Sequence, residues 1–249
     1  MSLMLKRIVV LIAAIAALEL LCRFGWIDRM TMIPPSEMVD ALWAMLRSGS
    51  ASDDIQYTLD NMLAAIVLSV TIGFVAGTAI HAVPRLRSVL DPLLASYYAV
   101  PIFVFYPLLI VLFGITNLPL IIIGAMFGVV AMIVNTLTGL DRVPRAFAKS
   151  ARLFRLGRIQ ELYLVSLPSA GPHFITGLKF SIVYSVIGVI AGEFILSSRG
   201  IGYRIAFAYN NFDTRAMYAL MLLLIGAVTI VTLTLHAWEK RLHRRWGRE

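Results

Sequence analysis

The residues that could do chemistry are few and far apart in this 249-residue chain. Acid–base catalysis needs two titratable side chains at one depth, and no such pairing of carboxylates or histidines stands out. The histidines, His81, His173, His236 and His243, are scattered, and Cys22 is the single cysteine. A multi-cysteine metal site and an intrachain disulfide are thereby excluded. No Gly-x-x-x-x-Gly-Lys-Ser/Thr loop is present to cradle a nucleotide phosphate. Glu193 stands out instead, as an acidic residue deep in a late apolar stretch, where an ionisable group is costly and often functional. It sits near the outer end of that stretch, which suits an interfacial carboxylate at an outer gate better than one touching a substrate. Arg199 or Lys179 is the candidate partner. Tyr97, Tyr98 and Tyr106 border Pro101 and Pro107. Proline breaks free carbonyls that lipid cannot satisfy. The segment therefore reads either as a pathway wall or as a simple kink with aromatic interface anchors.

The elements that position these residues follow from composition. Hydrophobic residues make up 59% and charged residues 14%, against about 45–50% and about 25% in soluble domains. Mean hydropathy is +0.84. Disorder is excluded, and a polytopic all-α membrane protein is the natural class. A bilayer-crossing helix needs about 20 mostly apolar residues. About six candidates are present: Ile8 to Leu21, Leu59 to Ile80, Val89 to Phe113 interrupted by Pro101 and Pro107, Leu118 to Leu140, Phe174 to Leu196, and Ala216 to Ala237. The first reads as a retained helix rather than a cleaved leader. Between the first two, Pro34 and Pro35 stop the chain and Ser36 with Glu37 suits a helix start. Met38, Leu42, Met45 and Leu46 then share one face, giving a short interfacial helix lying on the outer membrane surface over Ser36–Arg47. Gly73/Gly77, Gly124/Gly128 and Gly188/Gly192 carry the spacing that lets helices approach closely in lipid.

The net charge of +8 does not point to nucleic acid, because in a membrane protein the placement of Lys and Arg carries the information. With the N-terminus inside, 15 of the 22 Lys and Arg fall on inner segments and 6 on outer ones, Lys179 lying near the start of a span. Both termini are therefore expected in the cytoplasm. The inner loop from about Asp141 to His173 is basic, yet Ala151, Phe154, Ile159 and Leu162 recur at helical spacing. A short amphipathic helix with a basic face docks either onto another protein or onto anionic lipid.

Here the sequence resembles a known family, the permease subunits of bacterial ABC importers, in the branch serving nitrate, sulfonates and taurine. That family carries a cytoplasmic Glu-Ala-Ala, three residues, Gly, nine residues, Ile-x-Leu-Pro. Leu167 and Pro168 match its end and Ala151 its start. Val165 is conservative, whereas Lys149, Ser150 and Arg155 depart, Arg155 standing at the Gly position. Around the motif, Ile33-Pro34-Pro35-Ser36, Asp91-Pro92-Leu93-Leu94, Leu112-Phe113-Gly114-Ile115, Asn135-Thr136-Leu137, Ala191-Gly192-Glu193-Phe194 and Gly200-Ile201-Gly202-Tyr203 follow the family pattern in order.

The resemblance implies a single permease domain over residues 1–249 in the bacterial inner membrane, working as a homodimer with a second copy. Two cytoplasmic ATPases, which bind the ATP and Mg, drive it, and an extracytoplasmic solute-binding protein delivers substrate. The chain itself is no enzyme and holds no cofactor. The cytoplasmic coupling helix would be the lever arm, with Lys149, Ser150, Ala151, Phe154, Arg155, Gly157, Leu167 and Pro168 at the ATPase. Tyr97, Tyr98, Pro101, Tyr106 and Glu193 would line the pathway or its gate. Small solutes of the sulfonate, taurine or nitrate type, organic anions such as sulfonates or taurine first among them, are the leading cargo, and neutral nitrogen heterocycles or vitamin precursors the runner-up. A secondary transporter would more often show internal repeats around midplane ion sites, and no convincing repeat is present.

Overall fold

The computed structural model describes residues 3–144, 146–147 and 153–245, and no strand occurs among them. In chain order the helices are α1 (Leu3–Arg23), α2 (Pro35–Ser48), α3 (Ser52–Ala82), α4 (Pro84–Ser96), α5 (Tyr106–Phe113), α6 (Leu118–Asp141), α7 (Leu167–Leu196), α8 (Ile201–Asn210) and α9 (Thr214–Arg245). Two 3-10 turns, Tyr97–Ala99 and Ile102–Phe105, join α4 to α5. A helical turn at Arg158–Glu161 and a π-helical turn at Leu162–Ser166 lead into α7.

Among the described residues, four helical stretches are long and apolar enough to cross a bilayer, and up to five if the bent pair Pro84–Ala99 and Ile102–Phe113 counts as one. The remaining candidate, Ile8–Leu21, is helical within α1, but only 11 uncharged residues separate Arg7 from Glu19. At about 1.5 Å per residue that run is near half of the roughly 30 Å hydrocarbon core. Elsewhere the helices outrun the apolar stretches that announce them. α3 starts at Ser52 rather than Leu59 and has 31 residues, and α7 starts at Leu167 rather than Phe174. Their polar ends continue the backbone hydrogen bonding past the apolar segment. Pro107 does not interrupt a helix: it lies in the first turn of α5, where its missing N–H is no loss. The 95° bend falls at Pro101.

The chain forms two compact units, Met1–Thr58 with Glu193–Ile230 and Leu59–Gly192 with Val231–Glu249. In the first, α2 begins at Pro34–Pro35 without a side-chain cap of its own. Glu19 of α1 supplies the anion instead, accepting from the Ser36 N–H at 3.0 Å and the Ser36 hydroxyl at 2.7 Å while pairing with Arg23 at 2.6 Å. A carboxylate is favoured there by the unpaired amides of a helix N-terminus. Tyr218 donates to the Thr31 carbonyl at 2.7 Å. Ile201, Ile205 and Leu220 form a buried cluster with Met45 and Ile55 packed against it.

In the second unit, α3, α6 and α7 pack through glycine. A Cβ on Gly73 would lie 2.6 Å from Met132 Cβ, and one on Gly77 2.8 Å from Thr136 Cβ. A Cβ on Gly124 would lie 2.5 Å from Val189 Cγ2, and one on Gly188 2.7 Å from Phe127 Cδ2. The Gly pairs therefore sit where backbones approach too closely for any side chain. Ser69 of α3 bonds Ser181 at 2.9 Å and Ser185 at 3.0 Å on α7, satisfying buried hydroxyls in the same seam. Arg87 grips Asp141 through two contacts of 2.5 Å, with His81 3.3 Å from the same carboxylate.

Candidate functional site

Glu193 lies three residues before the end of α7 and is fully buried. Its Oε2 accepts from the Thr58 hydroxyl at 2.8 Å and from the Gly202 N–H at 3.1 Å. Thr58 Oγ1 in turn accepts from the Ile201 N–H at 2.9 Å, and Asp54 Oδ1 from the Gly200 N–H at 2.9 Å. Arg204 reaches Asp54 at 3.3 Å and also donates to the Ser50 carbonyl. Three consecutive amides at the start of α8 are thus held by side chains of α3 and α7, a polar clasp in an apolar setting. Gly200 is needed at its centre. Its φ is +99°, and a Cβ there would fall 2.5 Å from both Glu193 carboxylate oxygens. Lys179, offered by the sequence as a partner for Glu193, pairs with Glu239 of α9 at 2.8 Å instead, and Thr176 adds a 3.1 Å hydrogen bond to that carboxylate. Helix α8 has no counterpart among the sequence-read elements. Ile201, Ile205 and Ala208 at i, i+4 and i+7 are its buried face and were its available signal.

The tyrosines sit where the bent segment meets α6. Tyr97 donates to the Met126 carbonyl at 3.0 Å and Tyr98 to the Phe127 carbonyl at 3.5 Å. Their rings meet edge to face at 5.7 Å. Tyr98 also packs on Tyr184 of α7 at 5.5 Å, and Tyr184 stacks with Phe180 at 6.4 Å. Sequence reasoning missed Tyr184, whose position inside a predominantly apolar span carried no signal. Pro101 is exposed and Tyr106 half-buried at the start of α5. The result is an aromatic row beside the bend in which the Tyr97 and Tyr98 hydroxyls are committed to carbonyls of α6.

Lys149, Ser150 and Ala151 lie outside the described residues. Beyond them the loop departs from one continuous amphipathic helix. Leu153 is helical, Phe154 and Arg155 turn, and a new helical turn starts at Arg158. Phe154 and Leu162 therefore do not share one helix face. Leu153 and Phe154 are 84% and 78% exposed. Arg155 has φ +52°, a left-handed conformation that costs a residue with a Cβ roughly 1–2 kcal/mol. This accounts for the glycine that the resemblance places at that position. Gly157 donates to Gln160 Oε1 at 3.0 Å. Leu167 and Pro168 open α7, and Pro168 cannot donate to the turn before it, where the backbone widens into the π-helical turn.

Residues 69–248 match the family described as binding-protein-dependent transport system inner membrane component. The taurine transport system permease protein TauC of Escherichia coli (strain K12) is 29% identical over 216 residues, covering 86% of this chain and 74% of that protein. The putative aliphatic sulfonates transport permease protein SsuC of Bacillus subtilis (strain 168) is 26% identical over 220 residues, covering 86% and 79%. Among solved structures, an inward-facing conformation of the MetNI methionine ABC transporter superposes with a TM-score of 0.62 at 16% identity, over 77% of this chain and 97% of that one, a likeness of fold. The match runs from the middle of α3 through α9 and so includes the bend, the aromatic row, the basic loop and, of the clasp, Glu193 and the start of α8, while Asp54 and Thr58 precede it. The chain belongs to the binding-protein-dependent transport system inner membrane component family: it is a multi-pass permease subunit of an ABC importer, a transport component rather than an enzyme, and works with an ATPase and a solute-binding protein.

Proposed function

We propose that this permease imports a small organic anion of the sulfonate or taurine type, acting as one domain per chain and as a homodimer. Six helices or fewer are too few to wall a gated path alone, and a two-fold axis is the economical closure. Both termini face the cytoplasm, as the distribution of Lys and Arg favours. The loop around Lys149, Ser150, Ala151, Phe154, Arg155 and Gly157, with Leu167 and Pro168 behind it, docks onto the ATPase. Tyr97, Tyr98, Pro101 and Tyr106 border the pathway. Glu193 acts as a clasp at the gate end and does not touch the cargo. The names of the relatives support the cargo class.

The single observation that carries the docking part is the loop's composition. Residues 142–160 hold six Lys and Arg and no Asp or Glu, with Leu153 and Phe154 exposed among them. Such a surface gains from an acidic partner with an apolar floor.

The test is reconstitution of the permease with its ATPase and binding protein in proteoliposomes. ATP-dependent uptake of labelled taurine or an alkanesulfonate is the expected result. Uptake of a neutral heterocycle alone would overturn the cargo assignment. Cysteine labelling of Ser50→Cys and Ser197→Cys from outside, with none at Ser150→Cys, checks the orientation.

A further inference from the structure

Arg155 is conformationally the wrong residue for its place. Its left-handed backbone, φ +52°, is one that glycine, asparagine and aspartate enter readily and arginine does not. Strain of this kind persists where something outside the local chain repays it, and an observed outlier is a pointer to function. Nothing among the described residues repays it here. The Arg155 side chain is exposed and forms no hydrogen bond or ion pair with a described residue of its own chain.

What surrounds it narrows the occupant. Leu153 and Phe154, the two residues before it, are exposed apolar groups. The stretch 142–160 is cationic without a single carboxylate. The left-handed φ at Arg155 sets the direction of its Cα–Cβ bond relative to Leu153 and Phe154. The guanidinium is a rigid fork that matches a carboxylate with two parallel hydrogen bonds. Anionic lipid would be served as well by an unstrained lysine, because mobile headgroups need no fixed direction of approach. A fixed carboxylate does.

Resting on the docking reading above, we infer that Arg155 is the partner-selecting residue of this permease: its guanidinium engages an Asp or Glu at the rim of the ATPase docking cleft. Phe154 enters the cleft beside that contact. The arginine is kept at the cost of backbone strain, and an ATPase lacking that acidic group pairs poorly with this chain.

The experiment measures affinity between the permease in zwitterionic nanodiscs and its own ATPase, for the parent, Arg155→Gly, Arg155→Asn, Arg155→Lys and Phe154→Asp. Arg155→Gly and Arg155→Asn suit the left-handed turn and remove the charge. They should melt at or above the parent temperature yet bind the ATPase about tenfold more weakly, the effect of one lost charge-assisted pair. Arg155→Lys should fall between. The gap should shrink between about 0.1 M and about 1 M salt, as screening shortens. Phe154→Asp should abolish binding. Binding by Arg155→Gly as tight as the parent overturns the inference while leaving loop docking intact if Phe154→Asp still fails. Unchanged binding by Phe154→Asp sinks the docking reading and the inference with it. A loss for Arg155→Gly seen only in anionic-lipid discs would assign the guanidinium to the membrane and overturn the inference.

Discussion

Replacing Glu193 by Gln separates a clasp from a cargo contact. The substitution keeps the shape and one acceptor and, for an ionised carboxylate, removes the charge that strengthens the two hydrogen bonds on Oε2, from Thr58 at 2.8 Å and Gly202 at 3.1 Å. Hydrogen bonds to a charged group contribute about 1.5–3 kcal/mol each, against about 0.5–1.5 for neutral ones. The loss of charge assistance is then roughly 2–3 kcal/mol over the two bonds. Glu193→Ala removes both bonds and leaves a void, for roughly 3–6 kcal/mol. For a chain of this length each kcal/mol moves the melting temperature by about 2–4 °C. Thermal unfolding in detergent should therefore rank parent above Glu193→Gln above Glu193→Ala. Thr58→Val should not add fully to either, because it removes the same contact. In transport assays the clasp reading expects a lower maximal rate at an unchanged half-saturating concentration. A Glu193→Gln variant that melts with the parent but needs tenfold more substrate would refute the clasp and restore direct contact.

Two further outcomes follow from packing and from the second carboxylate. Gly124→Ala should destabilise by about 1–3 kcal/mol through overpacking, because the new methyl would sit 2.5 Å from Val189 Cγ2. Val189→Ala in the same chain should recover part of that loss, with a coupling of at least about 0.5 kcal/mol in a double-mutant cycle by thermal unfolding. Lys179→Ala should cost about 1–2 kcal/mol once partial exposure is allowed for, since the pair is 21% and 14% exposed on its two sides. Adding Glu239→Ala should then cost little more, because the uncompensated carboxylate is gone. A second loss as large as the first would show that the two side chains act independently.

The amino-acid order alone determined the class of the molecule and most of its helices. Apolar runs too long for a soluble core announced α3, α6, α7 and α9. The pattern Met38, Leu42, Met45, Leu46 placed α2 to within a residue or two, at Pro35–Ser48. Such features are local: a helix is written in contacts three and four residues apart. Pro101 likewise marked a break, since a missing N–H is a property of one residue. The angle of that break, 95°, is not local, because packing decides how the two arms lie. Tertiary structure also decided the partners. Glu193 found Thr58, 135 positions away, and Lys179 found Glu239, 60 positions away, rather than each other. Helix packing brings distant residues to one depth, and no periodicity along the chain records which ones. Arg155 shows the same division at the backbone. Its spacing from Leu167-Pro168 located it at a glycine position, but the left-handed φ that makes glycine suitable there appears only once the chain has turned.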